Sequence, residues 1–134
     1  MKKLTLALIL LMAASVAGAA VKGSAKKCVT RVACIGNSIT YGAAINDPVK
    51  YSYPTQLQEM LGDKYLVGRF GKSGATLLRK AFRPYFDQQE FRDAMAFHPD
   101  IAVIHLGIND TDPRAWPCYR DKFITDYQIG RAHV

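Results

Sequence analysis

Three short apolar runs, each closed by a glycine and then by small polar residues, constrain this chain more than any other feature. The first, Arg31 to Gly36, is rich in β-formers. The others span Tyr65 to Phe70 and Ile101 to Leu106. Each is apolar along most of its length, which predicts strands buried on both faces rather than strands with one wet face. Helical patterns lie between them. Pro54 suits a first helical position, Leu57, Met60 and Leu61 form an apolar stripe, and Gly62 ends it. Asp87 with Glu90 resembles a capping box, and Phe91, Ala94 and Met95 continue at helical spacing until Pro99. Asn37 to about Ser52 reads as a loop. A last helix is expected from near Tyr119, with Phe123, Ile124 and Tyr127 on its apolar face. Strands alternating with helices imply an α/β fold, a parallel sheet with helices on both sides.

The two ends read differently from the middle. Lys2 and Lys3 precede a nearly unbroken apolar segment from Leu4 to Met12, and Ala17-Gly18-Ala19 supplies a peptidase-type site. Residues 1–20 are therefore expected to be a signal peptide, with cleavage after Ala19 or Ala20 fitting equally. The apolar part falls short of the roughly 20 residues a spanning helix needs, so stable membrane insertion is not expected. The protein is expected to be exported, to a periplasm or beyond the cell. Residues 21–30 read as a basic linker. At the other end, Ile129 to Val134 is what ATC-GGA-AGA-GCA-CAC-GTC encodes, a string resembling a widely used sequencing adapter. Residues 129–134 are accordingly expected to be non-native, with the domain running from 31 to 128.

Charge and cysteines exclude more than they identify. The formal net charge is +7, and setting aside Lys2, Lys3 and Arg131 lowers it to +4. Lys22, Lys26 and Lys27 concentrate much of that excess before the first strand, and no interleaving of aromatic and basic residues marks a nucleic-acid surface. Cys28, Cys34 and Cys118 are odd in number and match no metal spacing. Cys34 reads as a small buried hydrophobe; a Cys28–Cys118 disulfide is compatible with export and supported by no spacing.

In parallel sheets the ligand site lies beyond the carboxyl ends of the strands. All three strands deliver small polar residues there: Gly36-Asn37-Ser38, Gly71-Lys72-Ser73-Gly74 and Gly107-Ile108-Asn109-Asp110. Acyl transfer needs a nucleophile and donors aimed at the developing oxyanion. Ser38 supplies a hydroxyl, the glycine-rich second loop supplies unobstructed N–H groups, and Asn109 supplies an amide. Taken singly, Gly36-Asn37-Ser38 is a plain turn and Asn109-Asp110 a turn and helix cap. Gly71-Lys72-Ser73 after a strand imitates the end of a P-loop. That motif requires a glycine where Leu66 stands, and Gly68 is too close to serve.

The three segments together resemble the SGNH, or GDSL-like, hydrolases. Ile35-Gly36-Asn37-Ser38-Ile39-Thr40-Tyr41-Gly42 looks like their first block, Phe70-Gly71-Lys72-Ser73-Gly74-Ala75-Thr76 their second, and Leu106-Gly107-Ile108-Asn109-Asp110 the G-x-N-D block. The resemblance covers about Arg31 to Gln128. It implies a three-layer α/β/α sandwich, flavodoxin-like, of which three strands are present. It implies Ser38 as nucleophile and first oxyanion donor, Gly74 as second donor and Asn109 as third, with no metal or organic cofactor.

Two departures stand out. Asn37 replaces the usual aspartate, a variant the family tolerates. The last block, D-x-x-H, which supplies the base, is absent from these 134 residues. His98 adjoins Pro99 at a helix end, His105 lies within a strand, and His133 falls in the suspect tail. These 134 residues alone should therefore be inactive or nearly so. The form of block one looks most like exported bacterial esterases acting on O-acetylated sugars or sialic acids. Lipid or thioester hydrolysis, or a non-catalytic carbohydrate-binding module, remain the alternatives. In the family's topology the third strand pairs with a fourth, so isolated residues 21–128 should have an unpaired strand edge and show poor solubility or dependence on a partner. In the source DNA, the reading frame is expected to continue past Gln128 to a D-x-x-H block some tens of codons on. A native stop after Val134 would contradict that.

Overall fold

The computed structural model of this chain describes residues 28–132. The expected signal peptide, most of the linker at 21–30 and the last two positions lie outside the described residues. The described elements are β1 (Thr30–Gly36), α1 (Ser38–Tyr41), α2 (Pro48–Tyr51), α3 (Tyr53–Leu61), β2 (Tyr65–Gly71), α4 (Gln89–Ala96), β3 (Ile101–His105), α5 (Trp116–Tyr119) and α6 (Phe123–Ala132). The strands form one parallel sheet in the order β2-β1-β3. Their ends are in step, because Gly36 sits opposite both Gly71 and His105.

Connectivity follows from chain handedness. The first crossover runs from β1 through α3 to β2. The second returns from β2 through α4, across β1, to β3. Right-handed crossovers in opposite directions place their helices on opposite faces of the sheet. Alternation along β1 agrees. Ala33 and Ile35 face α4, where Ala94, Ala75 and Tyr85 complete a buried cluster flanked by Phe70, Phe91, Phe97, Ile104 and Leu106. Cys34, on the other face, is buried beside Tyr53 of α3. The expected α/β architecture with a parallel sheet is the one that forms, and the three strands begin and end within one residue of expectation.

Several local readings differ from what forms. The expected loop after β1 holds two single-turn helices, because Asn37 and Asp47 each cap the turn that follows them. In α3, Pro54 is buried, Leu57 and Leu61 are half-buried, and Met60 is 77% exposed. The capping box does not form: Asp87 closes a 3-10 turn (Tyr85–Asp87), Gln88 precedes α4 without a side-chain cap, and Glu90 is drawn to Lys72. The last helix is split into α5 and α6 by a 3-10 turn, and Ile124 faces solvent. Helix α6 includes residues 129–132, and Gly130 lies against the Phe86 ring. Cys34 is buried as expected, whereas Cys28 and Cys118 are exposed, unbridged thiols. Strand β3 forms one edge of the sheet, with Ile101 and Val103 exposed. No helix among the described residues is long and apolar enough to cross a membrane.

Two glycines let α1 lie across the strand ends. A Cβ on Gly71 would strike the backbone of Thr40 and Tyr41; one on Gly36 would strike the Thr40 side chain and the His105 carbonyl oxygen. Backbone cannot yield as a flexible side chain can. Gly71→Ala is therefore expected to destabilise the protein by at least about 2 kcal/mol, read from the urea midpoint, whereas Met60→Ala should stay within about 0.5 kcal/mol of the parent.

Candidate active site

The first loop is held rigidly behind Ser38. Asn37 is fully buried, and its Oδ1 accepts the Ile39 N–H at 3.0 Å, fixing the start of α1. Its Nδ2 meets no acceptor among the described residues. Thr40, on the inner side of the same turn, is also fully buried and shares a 3.2 Å hydrogen bond with the Tyr53 hydroxyl. Burial pushes Tyr53 up to about 12, partly opposed by that bond, so the hydroxyl remains protonated across the physiological range. Burial raises the Cys34 thiol as well. Ser38 itself is half-buried at the first helical position, where its N–H has no intrahelical partner.

The second loop begins beside the first, where the Lys72 N–H donates to the Gly36 carbonyl at 2.9 Å. Lys72 to Ala75 then form a turn closed by the Ala75 N–H to the Lys72 carbonyl at 3.1 Å. Gly74 occupies its third position with φ +76°, and Ser73 is not among the positive-φ residues, which defines a type II turn. Only glycine adopts that third-position backbone without strain. Lys72 Nζ pairs with Glu90 Oε1 at 3.0 Å and ties the turn to α4.

The third loop locks onto the second. Asn109 Nδ2 donates to the Ala75 carbonyl at 2.8 Å, which leaves its second N–H free. Asp110, fully buried, accepts the backbone N–H groups of Leu77 at 2.9 Å and Leu78 at 2.7 Å. Burial lifts the Asp110 carboxyl above its ordinary range, and these two bonds oppose the rise. Neighbouring residues of one short 3-10 turn (Ile108–Thr111) thus fasten the second loop at three points.

The structure brings the loops of Ser38, Gly74 and Asn109 together at the junction of β1, β2 and β3. Of the described histidines it leaves both apart from these loops: His98 is exposed beyond α4 with φ +49°, and His105 is exposed on β3, while His133 lies outside the described residues. No cluster of three or more His, Cys, Asp or Glu side chains among the described residues is arranged to hold a metal ion. Sequence reasoning missed the Asp110 clamp, since a G-x-N-D string does not reveal that its aspartate points into the protein toward a chain segment 32 residues earlier. The Lys72–Glu90 pair was hidden in the same way by the apparent capping box.

A serine, a glycine turn and an amide stand on neighbouring loops where the crossovers diverge, the place at which an open α/β sheet binds its ligand. The chain belongs to the GDSL-like lipase/acylhydrolase family, whose model matches residues 34–128. It is 50% identical over 98 residues to an acetylxylan esterase of Xylanibacter ruminicola, a stretch covering 73% of this chain and 20% of that protein. The chain thus spans about a fifth of the length of the curated relative it matches. No solved structure matches it significantly.

Removing the Asp110 carboxylate leaves two buried N–H groups without acceptors, each costing about 1–3 kcal/mol. Asp110→Ala is therefore expected to lower stability by about 2–6 kcal/mol in urea unfolding. Hydrogen exchange at Leu77 and Leu78 should accelerate more than at Val32 to Ile35. Uniform acceleration across the sheet would mean that the carboxylate is no local clamp.

Proposed function

We propose that this chain forms the nucleophile and oxyanion half of a serine ester hydrolase, acting on O-acetyl esters of carbohydrates. The observation that carries the reading is the 2.8 Å bond from Asn109 Nδ2 to the Ala75 carbonyl, which seats the amide beside the Gly74 turn at the strand end next to Ser38. In this reading the Ser38 hydroxyl attacks the ester carbonyl. The developing oxyanion receives the N–H of Ser38, the N–H of Gly74 and the free N–H of Asn109 Nδ2. Collapse of the tetrahedral intermediate expels the alcohol and leaves acyl-Ser38, which water then hydrolyses. The general base and its orienting carboxylate are proposed to come from a D-x-x-H segment outside these 134 residues.

The acetyl-carbohydrate substrate is supported by the likeness to the acetylxylan esterase over most of this chain. The apolar first residues support export of the protein, to where such polymers are met. Lipid or thioester substrates form the second reading, favoured by Ile39 and Ile108, which are 50% and 61% exposed immediately beside Ser38 and Asn109. A series of esters of increasing acyl length separates the two: the first reading expects activity to fall beyond acetyl, the second to rise.

In the protein produced from its native gene, Ser38→Ala is expected to abolish hydrolysis of a small acetyl ester. Asn109→Ala should lower kcat roughly a hundredfold or more. Undiminished turnover in Ser38→Ala would overturn the nucleophile assignment.

A further inference from the structure

Arg83 is not among the residues assigned above, yet it contacts the Gly74 turn. Its backbone is fixed by a short pairing with the second loop: the Thr76 N–H donates to the Arg83 carbonyl at 2.8 Å, and the Tyr85 N–H donates to the Thr76 carbonyl at 2.9 Å. From that anchorage Arg83 Nη1 donates to the Ser73 carbonyl at 2.8 Å. The same nitrogen would lie 3.2 Å from a Cβ built on Gly74. The ion pairs among the described residues do not include Arg83.

The peptide that Arg83 holds is the central one of the type II turn. Rotating that unit by about half a turn, with the flanking residues nearly still, converts type II into type I geometry. In a trans peptide the carbonyl and the N–H point in opposite directions. A guanidinium gripping the Ser73 carbonyl therefore turns the Gly74 N–H away from itself. The bond is charge-assisted, so it also draws electron density through the peptide from the Gly74 nitrogen and sharpens that N–H as a donor.

We infer that Arg83 is a positioning residue that locks and polarises the Ser73–Gly74 peptide, keeping the Gly74 N–H aimed at the oxyanion. The catalytic part of this inference rests on the esterase reading above. Because Arg83 acts through Gly74 and does not touch the substrate, its loss should weaken transition-state binding and leave ground-state binding alone.

The test uses the protein from its native gene with Arg83→Met and Arg83→Lys, each confirmed to melt with the parent. For Arg83→Met, kcat on a small acetyl ester should fall roughly tenfold or more with KM nearly unchanged. Arg83→Lys, which keeps a charged donor, should recover part of the loss. Inhibition by methylboronic acid, which becomes tetrahedral on the serine, should weaken in parallel with kcat. Independently of catalysis, the Gly74 amide nitrogen resonance should move in Arg83→Met and return toward the parent value in Arg83→Lys. An unmoved Gly74 resonance, an unchanged kcat, or a loss confined to KM would overturn the inference. A parent protein with no esterase activity, or an active Ser38→Ala variant, would instead overturn the esterase reading. The catalytic half of this inference would fall with it, while the resonance would still report on the lock.

Discussion

The arrangement at the strand ends depends on the buried carboxylate of Asp110. A segment such as Gly74 to Leu78, which makes a turn and then leaves the sheet, has backbone N–H groups that no ladder can satisfy. Asp110 accepts two of them with short, charge-assisted bonds, and the adjacent Asn109 donates to the Ala75 carbonyl. Donor and acceptor needs of the second loop are thus met by consecutive residues of the third. The cost is an ionisable group in a site where burial alone would disfavour its charge, and the direction of its shift records that burial prevails. A carboxylate in such a place is an expensive way to hold a loop unless the loop has to be held accurately.

Accuracy is also built into the packing around the first loop. Helix α1 crosses the ends of β1 and β2 so closely that no side chain fits beneath it at Gly36 or Gly71. Fully buried Asn37 and Thr40 fix the start and the inner face of that single turn. A helix of four residues has no stability of its own. Its geometry is imposed by contacts with the sheet, which makes the position of Ser38 a property of the sheet rather than of a mobile loop.

The repeating pattern of the chain was legible because it has a periodic physical cause. The three runs are apolar along most of their length and glycines mark the places where strands give way to turns, so β1, β2 and β3 could be read within a residue. The expected burial on both faces holds for β1 and not for β3, which is mostly exposed at the sheet edge. The three polar loops were legible because their position beyond the strand ends follows from that topology. What could not be read depends on partners distant in sequence. Glu90 looked like a cap for its own helix and instead meets Lys72; Asp110 looked like a turn residue and instead meets Leu77 and Leu78. Met60 and Ile124 followed helical spacing yet face solvent, because spacing states which residues share a helix face and not how much of that face the neighbouring layer covers. The single-turn helices α1 and α2 fell below the length at which periodicity can be seen at all.

These observations divide the polar groups at the strand ends into two kinds. Most are paired with one another: Lys72 with Glu90, Asn109 with Ala75, Asp110 with Leu77 and Leu78, Arg83 with Ser73. Among the groups left unpaired in the described residues, the Ser38 hydroxyl and N–H, the Gly74 N–H and the second Asn109 N–H are those that the proposed chemistry would use, while Asn37 Nδ2 and Glu90 Oε2 are also unpaired and have no part in it. Dipoles that are already oriented when a charge develops need not be reorganised by it, and the work of orienting them is done once, when the chain folds. The paired groups hold the loops that carry the unpaired ones. On that view the density of hydrogen bonds in the second and third loops is itself part of the site, because a donor is only as well aimed as the peptide that carries it.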